Sequence, residues 1–126
     1  MSRPQAQRPV FLNLARIRFP VGAVASIGHR ISGVLLVALL PLAVLALERS
    51  LTDEATSASI FGALQSPAGR VALLVVAWAS AYHLFAGIRH LLMDVGIGAS
   101  LSAARASAYA ALAAGAAVGI AAAALA

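Results

Sequence analysis

Charge in this chain is pushed to the ends of three long apolar runs. Ile31–Leu47, Val71–Ile88 and everything after Arg105 carry no Asp, Glu, Lys or Arg. A helix that crosses a bilayer needs about 20 mostly apolar residues. In lipid the backbone must satisfy its own hydrogen bonds, so each run must be helical. Extending the runs to their polar ends predicts helices over about 27–48, 69–92 and 102–126. The alternative of a soluble globule fails on composition. With 62% hydrophobic and 10% charged residues in a chain of 126, there is too little polar surface to cover a core. The expected fold class is all-α and integral to a membrane, with residues 1–26 as an N-terminal arm and 27–126 as one three-helix domain.

Local signals refine this. Pro41 sits inside the first run, where a kink is expected and not a break. Glu48 to Pro67 reads as a polar loop, and Gly96-Ile97-Gly98 as a helix stop. In the third run, twelve of the twenty residues from Ser107 to Ala126 are Ala. Ala111, Gly115, Gly119 and Ala123 recur every fourth residue there, which is either a face for close helix packing or compositional drift toward Ala.

The net charge of +5 comes from nine Arg against four acids, with no Lys. No basic helix or aromatic-interleaved basic stretch suggests nucleic acid. The arginines instead mark topology. Arg3, Arg8, Arg16, Arg18, Arg30, Arg89 and Arg105 fall on one side of the three runs, and Arg49 and Arg70 on the other. The positive-inside rule then predicts a cytoplasmic N-terminus. The N-terminus does not read as a signal peptide, because its first residues are rich in Pro and Arg and no cleavage site follows an isolated apolar core. The absence of Cys removes disulfides, thiolate metal sites and a Cys nucleophile.

Polar residues inside or beside spanning segments are costly, so each is a candidate site. Ser26, Arg30 and Gly33 lie at i, i+4 and i+7, on one helical face. A hydroxyl, a fixed cation and a missing side chain there suit a flat, oxygen-bearing ligand. The plainer alternative is that Arg30 snorkels to headgroups and Ser26 caps the helix. In the second run, His83 precedes Arg89 by six residues, roughly 9 Å deeper in the bilayer. Gly87, at i+4 from His83, leaves room for a bulky planar group. His90 is about 10.5 Å along the helix from His83, so the two cannot clasp one iron. His29 is expected at the interface, shallower than His83. A lone intramembrane His is more often a hydrogen-bonded packing residue; read as a ligand, His83 stands alone, with a second due from another polypeptide. Asp94 reads as a solvated charge balancing Arg89. No nucleophile–base pair or carboxylate dyad lies within the spans.

Two stretches carry a family resemblance. One runs from Arg8-Pro9-Val10 through Ile17-Arg18-Phe19-Pro20 to Ala25-Ser26-Ile27-Gly28-His29-Arg30-Ile31-Ser32-Gly33. The other runs from Ala81-Tyr82-His83 through Gly87-Ile88-Arg89-His90 to Met93-Asp94. Together they resemble the cytochrome b large membrane-anchor subunits of succinate dehydrogenase, respiratory complex II. The resemblance covers about residues 8–96 and implies a set of roles. His83 would be an axial ligand of haem b and of its iron, with the other ligand a histidine of a small membrane-anchor subunit. His29 and Arg30 would lie near the haem propionates. Ser26 and Arg30 would line the ubiquinone site, with Asp94 less directly tied to it. Gly28 stands where a bulkier apolar residue is often found, and is expected to reshape the quinone pocket. Partners would include the iron–sulfur subunit, touched by the N-terminal arm, and a flavoprotein subunit that oxidises succinate. The location would be a bacterial inner membrane. A cofactor-free structural anchor of a related oxidoreductase, such as a fumarate reductase, is the alternative, and a small transporter a remoter one.

Overall fold

The computed structural model of the chain describes residues 17–125. They form four helices: α1 Val21–Ser50, α2 Glu54–Gln65, α3 Pro67–Asp94 and α4 Leu101–Leu125. Among the described residues three helices are long and apolar enough to cross a membrane: Val21–Ser50, Pro67–Asp94 and Leu101–Ala124. These are the three expected runs. Arg3, Arg8 and Arg16 of the N-terminal arm lie outside the described residues.

Two boundaries differ from the sequence expectation. α1 begins at Val21, six residues before the expected start, so Ser26 is in its second turn and caps nothing. Pro20 occupies the cap position, with no side-chain cap bond, and the first apolar residues after it continue straight into the helix. The expected loop from Glu48 to Pro67 contains α2. Its cause is local chemistry. The Asp53 carboxylate accepts the Thr56 backbone N–H at 2.8 Å and the Thr56 hydroxyl at 2.7 Å. These bonds, that of the Thr56 backbone N–H foremost, hold the Asp53 carboxyl below the usual carboxylate range. Ser66 then caps α3, accepting from Gly69 N–H at 3.1 Å, with Pro67 in the first turn.

Pro41 lies within α1, which is helical on both sides of it. α3 stops where the glycines predict. Gly96 takes φ +83°. The Ile97 N–H bonds to Leu92 O at 2.8 Å and the Gly96 N–H to Met93 O at 3.0 Å, the paired bonds that close a helix through a left-handed residue.

α3 is the central element and packs against α1, α2 and α4, while α1 also touches α4. The core is built of small residues: Ala25, Ala79, Ala86, Ala108 and Ala111 are buried, and Tyr82 is the one large apolar side chain among the buried residues described. Small residues let helix backbones approach closely where lipid supplies no hydrophobic drive. The outward faces are apolar, with Val34, Val37 and Leu40 at least 64% exposed.

Candidate functional site

The two polar clusters meet where α1 crosses α3. Gly33 of α1 makes the approach: a Cβ there would lie 3.0 Å from Cε1 of His83. His83 Nδ1 sits 3.2 Å from the His29 carbonyl oxygen and 3.2 Å from Ser32 Oγ. A carbonyl oxygen can only accept. The Ser32 hydroxyl already donates to that same carbonyl at 2.9 Å, so its oxygen is free to accept too. Both contacts therefore place the proton of His83 on Nδ1 and leave the Nε2 lone pair unused. Nε2 makes no bond among the described residues and is not sealed from its surroundings. An imidazole held by an Nδ1–H to a backbone carbonyl, with Nε2 presented outward, is the arrangement of a metal-ligating histidine.

His29 departs from expectation. Its ring stacks on that of His83, centroids 4.1 Å apart and planes 18° apart, so it lies at the same depth and not above it. Face-to-face stacking still prevents the two from binding one iron, because trans axial nitrogens must point at each other across about 4 Å. The reason the two rings could not share an iron is thus their stacking and not the depth difference first expected. His29 Nε2 is buried and has no hydrogen-bond partner. It lies against Gly87, where a Cβ would come within 3.3 Å of it. The space left by Gly87 is therefore filled by His29 and not reserved beside His83. His90 completes the group, 5.1 Å from His29 between ring centroids.

Ser26 is half-buried and Arg30 exposed, both on α1. Gly33, read in sequence as part of their pocket, serves His83 instead. Gly28 does not widen a ligand site either. Its missing side chain is occupied by Tyr82, whose ring would sit 2.8 Å from a Cβ there. Tyr82 is the residue that sequence reasoning missed. Its hydroxyl donates to Ala25 O at 2.9 Å, and its ring lies against Gly115 of α4, where a Cβ would also be 2.8 Å away. Trp78 stacks on it at 5.6 Å and packs near Gly119. The four-residue spacing of small residues in α4 thus receives the aromatics of α3 within the chain. Two aromatics four apart, facing two glycines four apart, was the available signal.

Arg89 was also misread. It does not pair with Asp94 but lies buried between α3 and α4, donating from Nε to Ser107 Oγ at 3.0 Å and from Nη2 to Ala104 O at 3.1 Å.

A family model for the succinate dehydrogenase/fumarate reductase transmembrane subunit matches residues 4–122. The chain belongs to this family. It is 43% identical over 106 residues to the succinate dehydrogenase cytochrome b556 subunit of Coxiella burnetii, covering 82% of this chain and 84% of that one. It is 35% identical over 109 residues to the subunit of the same description in Paracoccus denitrificans, covering 86% and 84%. The chain is therefore a cytochrome b-type anchor subunit of the succinate dehydrogenase/fumarate reductase family. Within such a subunit the histidine cluster acquires a specific meaning. Among the described residues no group of three or more His, Cys, Asp or Glu could hold a bare metal ion. A haem iron needs less: the macrocycle supplies four nitrogens, and each chain need give only one more. His83 Nε2, with its Nδ1 held by the His29 carbonyl and Ser32, could offer one such nitrogen, and His29 Nε2 is buried without a hydrogen-bond partner.

Proposed function

We infer that this chain anchors a succinate:quinone oxidoreductase in the bacterial inner membrane, binds haem b through His83 together with a histidine of a small anchor subunit, and contributes to the site that reduces ubiquinone. The free Nε2 of His83, opposite an Nδ1 tied to backbone, carries this reading. Bound there, haem would supply a one-electron relay inside the membrane.

The chain's own residues do the rest. Ser32 and the His29 carbonyl fix the His83 ring and its tautomer. Arg30 holds a permanent cation beside the site and offsets negative charge on propionates or on a quinone oxygen as electrons arrive. Ser26, one turn earlier, donates its hydroxyl proton to a quinone carbonyl. His29 offers its unpaired nitrogen to a propionate oxygen. The basic sequence of the N-terminal arm suits contact with an iron–sulfur subunit on the cytoplasmic face, while a flavoprotein subunit oxidises succinate.

The test is electron paramagnetic resonance of the oxidised, assembled complex. The wild type is expected to show a low-spin bis-histidine haem signal. In His83→Ala it is expected to vanish or turn high-spin. An unaltered low-spin signal in that variant would remove the ligand assignment and favour a different histidine, whereas a wild-type complex with no haem signal would favour a cofactor-free anchor.

A further inference from the structure

Arg89 poses a charge problem that the haem reading does not solve. The residue is 8% exposed and lies in a candidate span. A buried cation without a counter-charge is expensive. The chain has four acids. Glu48, Asp53 and Glu54 lie at the opposite end of α1 and α3, around α2. Asp94 is at the right end but is not among the partners of Arg89, which are a serine hydroxyl and a backbone carbonyl. Residues 1–20 contain no acid at all. The counter-charge must come from outside the chain.

The surroundings specify its chemistry. Arg89 Nη1 makes no bond among the described residues and is not sealed off. Arg89 lines a groove of about 280 Å³ between α3 and α4. Arg89 and Ser107 are its polar residues, and along Phe85, Ile88, Ala111 and Ala114 its lining is apolar. Ser107 to Ala114 is seven residues, roughly 10 Å of groove parallel to the helices. A carboxylate from a partner chain would need only the cation. A cationic head continued by a straight apolar trough along the bilayer normal fits a lipid. Arg89 also faces away from His83: six residues on one helix place the two roughly 120° apart.

We propose that Arg89 and the α3–α4 groove form a binding site for an anionic phospholipid, with Arg89 on the phosphate and one acyl chain along Phe85 and Ala114. The site needs only that the chain lies in a membrane, and it stands whether or not His83 holds a haem.

The experiment uses the assembled complex, delipidated in mild detergent and phosphate-free buffer, then supplied with dioleoyl-phosphatidylglycerol. Native mass spectrometry counts retained lipid. The wild type is expected to hold the lipid, and dioleoylglycerol, with the same chains and no phosphate, is expected not to bind. Arg89→Gln should lose retention. Ala114→Leu fills the groove while leaving both Arg89 bonds intact, and should lose it as well, so the test survives if Arg89→Gln fails to assemble. Arg105→Gln, an exposed arginine at the same end, should retain it. Equal retention in Ala114→Leu and wild type would overturn the site. So would displacement of the lipid by millimolar inorganic phosphate, which would mark a free-anion site. Loss of the small anchor subunit from Arg89→Gln with lipid retention unchanged would assign Arg89 to a partner carboxylate instead.

Discussion

At the scale of single residues, two side chains organise the molecule in different ways. Tyr82 ties three helices at one point, and its neighbours have no slack. Gly28→Ala and Gly115→Ala each push a methyl against its ring. Each is expected to destabilise the folded chain by about 1–3 kcal/mol, the usual cost of overpacking a tight core. Tyr82→Phe removes only the bond to Ala25 O and should cost about 1 kcal/mol. Thermal unfolding of the three purified variants checks the order, and a larger loss in Tyr82→Phe than in Gly115→Ala would contradict it. His83 is held by two acceptors, so its support is divided. Ser32→Ala leaves the His29 carbonyl in place and should weaken haem retention by about 10–100-fold, the range for outer partners of metal ligands, whereas His83→Ala abolishes it. Haem titration of the variants separates the two cases.

At the scale of elements, α2 shows how a short polar cap makes a helix where hydropathy alone predicts a loop. The Asp53 carboxyl is held below its usual range by the bonds it accepts in the folded state. Its contribution to α2 is therefore complete above the ordinary aspartate pKa of about 3.9 and is lost as pH falls through the lower folded value. Amide exchange at Thr56 should quicken in that acid range, while Asp53→Asn, which still accepts the N–H but cannot titrate, should show no such step. Legibility follows the same division. The three spanning helices were readable because hydropathy over some twenty residues is a long signal. The stop at Gly96 was readable because few residues tolerate its positive φ. α2 was not, because a single cap bond decides it. In the site, the sequence placed His83 inside a span as a candidate polar group, and its contacts with Ser32 and the His29 carbonyl followed only from the packing. The stacking of His29 on His83, the filling of Gly28 by Tyr82 and the burial of Arg89 were not readable, since each depends on how two helices are rotated against each other, and composition says nothing about rotation.

At the scale of the whole molecule, the distribution of arginine and the position of the histidine cluster fit one orientation. Arg49 and Arg70 lie at one end of the bundle, and Arg18, Arg30, Arg89 and Arg105 toward the other. Cysteine labelling of intact cells should therefore modify a Thr52→Cys variant from outside and leave Ser100→Cys unmodified; the reverse pattern would invert the topology. Under the proposed function, that orientation would put the cluster of His29, His83 and His90 in the cytoplasmic half, where soluble electron-delivering subunits would sit. The outward flanks of α1 are apolar and exposed among the described residues. The most direct measurement of the whole reading is a cryo-electron microscopy map of the assembled complex at the level of His83. The expected result is a macrocycle whose iron lies about 2 Å from Nε2, the length of a metal–imidazole bond, with a histidine of the neighbouring anchor on the other side. A His83 ring bounded only by packed side chains and lipid would contradict it.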